Sequence, residues 1–212
     1  SLNSFDDPVL VAGSAAGANI EGFVYVTMNA FYQAAITFVG QNYGAGKYDR
    51  VDKVAWQCTG FAAVFGFAFG NLAYLFGGAL AGIYAPGEPD VVQQAFIRML
   101  FICCPYFICG IMDTLVGVLR GLGSSVIPMI VSLVGACGLR LLWVAAVFPR
   151  YHTPASLYVS YPVTWAVTAL FHLLFLLLVV RRRAFAKGTA SGPAYLSTEG
   201  RHPEPEEISK SV

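Results

Sequence analysis

Five apolar segments, each longer than the roughly 20 residues a helix needs to cross a bilayer, restrict this chain to a membrane-embedded architecture. They cover approximately residues 9–39, 54–84, 91–119, 126–148 and 157–180. The segments are apolar all round, as lipid-embedded helices are. A membrane strand would need only about ten alternating residues, so helices are expected throughout. Composition agrees, since only 12% of residues are charged and 57% are hydrophobic. A soluble domain carries about 25% charged residues, and this chain has too little polar surface to cover a globule in water. The expected fold class is all-α, a polytopic membrane helix bundle.

The breaks between segments carry turn chemistry: Gly40–Gly44, Pro86–Pro89, Gly121–Ser125 and Pro149–Pro154. The few charges sort by side. Lys47, Arg50 and Lys53 follow the first segment, Arg120 follows the third, and Arg181–Arg183 with Lys187 follow the fifth. The opposite connections carry Asp6, Asp7, Glu88, Asp90 and Arg150. The positive-inside rule then places the C-terminus in the cytoplasm and the N-terminus outside, in a multi-pass protein of the cell inner (plasma) membrane. Residues 1–183 form the expected transmembrane bundle, and the Gly/Ser/Pro/Glu-rich stretch 184–212 is expected to be a disordered cytoplasmic tail. No starting Met or signal peptide precedes the polar residues Ser1–Pro8. With an exported N-terminus, the expectation is a fragment that at least one further span once preceded.

Ionisable groups inside spans are costly and point to function. Glu21 lies twelve residues into the first segment, about 18 Å along it and close to mid-bilayer. Steps of four from Glu21 reach Tyr25, Asn29 and Gln33, a polar stripe on one helix face, and Asn19 and Thr37 extend it toward both ends. Such a stripe faces a water-filled cavity or partner helices, because lipid offers no hydrogen bonds. Glu21 either takes up and releases a cation or proton, or only bonds a neighbouring helix. Asp113 sits among Ile111, Met112, Leu115 and Val116. An unpaired carboxylate there is expensive, so it pairs with a cation, a proton or a base such as Arg140, or else stabilises the bundle near its cytoplasmic mouth. Arg98, near a helix end, is expected to snorkel to the interface. Pro105 should break the third segment, whereas Pro128 and Pro162 are expected in first turns, where proline costs little. His172 reads as a packing residue.

The five cysteines all lie in apolar segments without metal-binding spacing and read as small packing side chains. No catalytic grouping or phosphate-cradling loop after a strand is present, so neither an enzyme nor a cofactor is expected. Without a basic stripe, no nucleic-acid partner is expected either.

Three strings carry a family resemblance: Ala18–Phe23 (Ala-Asn-Ile-Glu-Gly-Phe), Met28–Ala35 with Gly40–Gly46 (Gly-Gln-Asn-Tyr-Gly-Ala-Gly), and Gly117–Ser125 around Leu119-Arg120-Gly121. Together with Cys137–Trp143 they resemble the MATE (multidrug and toxic compound extrusion) family, in the expected order, from Ala18 to about Leu157. Family members have twelve helices in two pseudosymmetric lobes. The resemblance implies a C-terminal lobe without its first helix, that is, helices eight to twelve, whose partner is the missing N-terminal lobe. It implies export of small-molecule drugs or organic cations in exchange for Na⁺ or H⁺, the coupling ion, by alternating access within the lipid bilayer. Some members use an aspartate of the tenth helix for the cation; Asp113 lies in that helix, about one turn closer to the Leu-Arg-Gly turn. Glu21 belongs to the wording of a bacterial subgroup. The implied coupling residues are Glu21 and Asp113, with Asn19, Tyr25, Asn29, Gln33 and Arg140 lining the cavity. Two alternatives stand beside this reading: a lipid-linked saccharide flippase, which should show a more cationic cavity, and a membrane protein whose polar residues only pack helices.

Overall fold

The computed structural model describes residues 5–180, as helices joined by short turns with no strand among the described residues. Helix α1 (Pro8–Gly44) is capped by Asp7, whose Oδ1 accepts from the backbone N–H of Val9 at 2.9 Å and of Leu10 at 3.3 Å, with Pro8 pre-set at the first helical position. It carries on through Gly40–Gly44, which the spacing reads as a turn. The reversal needs only Ala45–Lys47, because Gly46 adopts a left-handed φ of 69°. Gly40 serves packing instead, lying against the backbone of Gly121.

Helix α2 (Tyr48–Leu75) returns beside α1 and continues, after a single-residue break at Phe76, into α3 (Gly77–Tyr84). The third segment is two half-helices, α4 (Pro89–Ile102) and α5 (Tyr106–Gly121), bent by 50° at Cys103–Pro105. Pro105 has no N–H to continue the ladder of α4, which is the physical origin of the break. The fourth segment is α6 (Val126–Ser132), a π-helical stretch Leu133–Gly138, and α7 (Leu139–Ala146). Helix α8 (Pro154–Phe175), capped by the Thr153 hydroxyl, closes the bundle and passes into a π-helical stretch at Leu176–Val180. Because α8 starts at Pro154, Pro162 falls in its interior rather than its first turn, a correction to the expected boundary. The tail expected to be disordered lies outside the described residues.

Helix α5 is the central element. It packs on α1, α2 and α8, and nearly every residue from Thr114 to Leu119 is fully buried. One core gathers Met28, Ile102, Tyr106, Met112, Tyr158 and Trp165; a second gathers Val39, Val51, Leu115, Val118 and Leu119. Helices α6 and α7 lie at the periphery, with Leu133, Val134, Leu141 and Leu142 exposed. Side chains so apolar and so exposed suit contact with lipid rather than water. His172 is buried between Ser132 Oγ (3.4 Å) and the Pro128 carbonyl (3.3 Å), tying α8 to α6 as a packing residue would. All five thiols are free.

The seam between α1 and α4 is set by small residues. Gly13 and Gly17 lie one turn apart on the buried face of α1, and a Cβ at Gly13 would come 2.5 Å from Gln94 Cβ. Such a small-xxx-small spacing lets two membrane helices approach closely. It brings the side chains of α4 within reach of the polar groups of α1.

Candidate functional site

A cavity of about 480 Å³ opens where α1, α4, α5, α7 and α8 converge. Helix α1 contributes Glu21 and Tyr25, α5 contributes Cys109 and Asp113, α7 contributes Arg140, and α8 contributes Tyr161 and Trp165. Arg98 reaches in from α4. The spacing on α1 explains its share, since Glu21 and Tyr25 are one turn apart and share a face. The bend at Cys103–Pro105 does the same for the third segment. Arg98, before the break, and Asp113, after it, both reach the cavity, although the helices that carry them point in different directions.

The expectation that Arg98 snorkels to an interface is overturned. Arg98 is 7% exposed, and its Nη2 donates to Glu21 Oε2 at 2.8 Å while Nη1 donates to Ser14 Oγ at 3.0 Å. Its guanidinium carbon lies 5.7 Å from the ring centroids of both Tyr158 and Tyr161. A carboxylate, a hydroxyl and two aromatic faces nearby satisfy it better than an extended path along the helix would. Removing one partner of a buried pair costs about 3–5 kcal/mol, so Glu21 and Arg98 form a structural unit as well as part of the cavity wall.

Asp113 and Arg140 line the same cavity without an ion pair between them within 4.0 Å. Asp113 accepts from Cys109 Sγ at 4.0 Å, a weak contact one turn earlier on α5. Arg140 instead stacks on Tyr161, with its guanidinium carbon 3.8 Å from the ring centroid, and donates to Thr164 Oγ1 at 3.3 Å. Tyr161 is therefore flanked by two guanidiniums. Two carboxylates and two guanidiniums balance formally, and the aromatic walls of Tyr25, Tyr106, Tyr161 and Trp165 surround them.

Of the residues singled out in the sequence, Glu21, Tyr25, Asp113 and Arg140 come together here. Asn19 instead lines a separate cavity of about 510 Å³ with Tyr84, Pro86 and Glu88. Asn29 and Gln33 do not line either cavity; four-residue steps drift around a 3.6-residue helix, and the stripe leaves the site within two turns. The sequence reading did not pick out Tyr161 and Trp165. Their signal was present as an aromatic pair at i, i+4 that follows Tyr158.

A broken span beside a charged cavity in a polytopic helix bundle is an arrangement that recurs in membrane transporters. The chain belongs to the MatE family, whose model matches residues 2–144. Among curated proteins it is similar to "Probable multidrug resistance protein NorM" of Thermotoga maritima, 28% identical over 153 residues, covering 69% of this chain and 32% of that protein. The protein of the same description from Brucella suis is 25% identical over 138 residues, covering 63% of this chain and 29% of its own length. The chain thus spans about a third of the length of the curated relatives it matches.

Proposed function

We propose that this chain supplies the C-terminal lobe of a secondary multidrug exporter, which moves organic cations or related drugs out of the cell in exchange for Na⁺ or H⁺. The observation that carries the reading is the Asp113 carboxylate facing an aromatic-walled cavity, with no basic side chain among the described residues within ion-pair distance. Such a group can hold a metal cation, a proton or an organic cation, but only one at a time. Aromatic faces around it favour a cationic, apolar ligand. Exclusive occupancy of one carboxylate couples the two movements. Drug and coupling ion each bias the inward/outward equilibrium by their differential affinity for the two states. The break at Cys103–Pro105 places a joint next to the site, where a rocking lobe would need one.

Family membership and the NorM relatives support export at the level of the family; the coupling ion and the carboxylate roles are our inference. The flippase alternative is less well supported. Arg98 adds a second base to the cavity, yet Glu21 and Asp113 offset both guanidiniums, leaving no surplus positive charge for a phosphate head group.

The test is ethidium efflux by the complete protein carrying this chain, in a drug-hypersensitive bacterial host. Asp113→Asn should reduce efflux at least tenfold, the loss expected when an interaction of about 1.4 kcal/mol or more is removed, with membrane abundance unchanged. Efflux by the variant at the parent rate would overturn the assignment.

A further inference from the structure

Glu21 does not meet the cavity as a free carboxylate. The contact with Arg98 joins one guanidinium nitrogen to one carboxylate oxygen, short of the bidentate fork that makes arginine pairs strongest. Arg98 Nε is buried without a partner. The guanidinium has other places to rest. Ser14 holds Nη1, and the rings of Tyr158 and Tyr161 stand within cation–π distance. Gly17, between Ser14 and Glu21, leaves the groove in which the aliphatic stem lies; a Cβ there would come 3.1 Å from Arg98 Cδ. An arginine that loses its carboxylate here therefore still has a hydroxyl and two aromatic faces to rest against.

We propose that Arg98 is a tethered internal cation that occupies Glu21 while the cavity is empty and is displaced when a cationic ligand binds there. This rests on the reading of the cavity as a cation site, and it makes Arg98 a positioning residue. The pair also joins α1 to α4, the half-helix that precedes the bend. Ligand binding at Glu21 loosens that half alone and leaves α5 packed in the core. Ligand release re-forms the pair and resets it. Apparent affinity in the wild type is lowered by the fraction of protein in which Arg98 already holds Glu21, and turnover depends on that reset.

The probe is tetraphenylphosphonium, titrated against the complete purified protein in lipid nanodiscs, alongside ethidium efflux in cells. Arg98→Gln should bind the probe about tenfold more tightly, as expected if Glu21 is held about nine-tenths of the time, while efflux Vmax and KM both fall. Adding Glu21→Gln should abolish the gain in affinity. If Arg98→Gln does not assemble, Arg98→Lys serves, because its ammonium ends one atom short of the Arg98 Nη2 position that contacts Glu21 and so holds the carboxylate less closely; tighter binding is again expected. Binding that is unchanged or weaker in a monodisperse Arg98 variant, with wild-type efflux intact, would overturn the displacement and leave the exporter reading standing. A wild type that neither binds the probe nor exports ethidium would sink both.

Discussion

Single side chains at this site were legible in proportion to how little their partners mattered. Glu21, Asp113 and Arg140 declare themselves because a charge within an apolar run is expensive wherever it ends up. Arg98 carries the same charge, but its place near a helix end suggested an escape to the interface. Its burial depends on a carboxylate 77 residues away, a pairing that no local pattern contains. Tyr161 shows the same limit, as its two guanidinium neighbours come from α4 and α7. Cation–π contacts contribute about 0.5–2 kcal/mol each, so Tyr161→Leu should lower the thermal midpoint of the purified protein, whereas Tyr161→Phe should not. Unfolding followed by gel-filtration recovery after heating would read both; a leucine variant as resistant as the parent would mean the stack contributes nothing.

Elements were easier to read than their ends. The bend at Pro105 is where the missing N–H requires it, and the span order is that of the apolar segments. The boundaries of α1 and α8 shifted because glycine and proline have two uses. Gly40 and Gly44, which look like turn residues, stay helical, and Gly40 lies against the backbone of Gly121; Pro162 sits inside α8 because the capping threonine lies upstream of it. The Gly13–Gly17 seam between α1 and α4 governs how Arg98 reaches Glu21. Overpacking a tight seam costs about 1–3 kcal/mol, and Gly13→Leu has no room beside Gln94. The variant should give a markedly smaller fraction of monodisperse protein in detergent and lose efflux. Retention of wild-type yield and transport would show that the seam is looser than its geometry indicates.

At the scale of the molecule, orientation and the wide exposed apolar surface belong together. Phe23, Val26, Leu133, Leu141 and Leu142 are all exposed, as befits a chain solvated by lipid. By the positive-inside rule, the loop charges predict that the turn at Ala45–Lys47 is cytoplasmic and the turn at Pro86–Gly87 lies outside. In a cysteine-free background, an impermeant maleimide applied to intact cells should label Gly87→Cys but leave Gly46→Cys unmodified until the cells are opened. The reverse pattern would invert the topology. Composition and spacing by themselves determined that this chain is a bundle of membrane helices, because backbone groups in lipid must be satisfied within each segment, and that requirement is local. Only the tertiary structure decided which charges meet, since the α1–α4 and α7–α8 contacts that join Glu21 to Arg98 and Arg140 to Thr164 depend on how closely whole helices can pack.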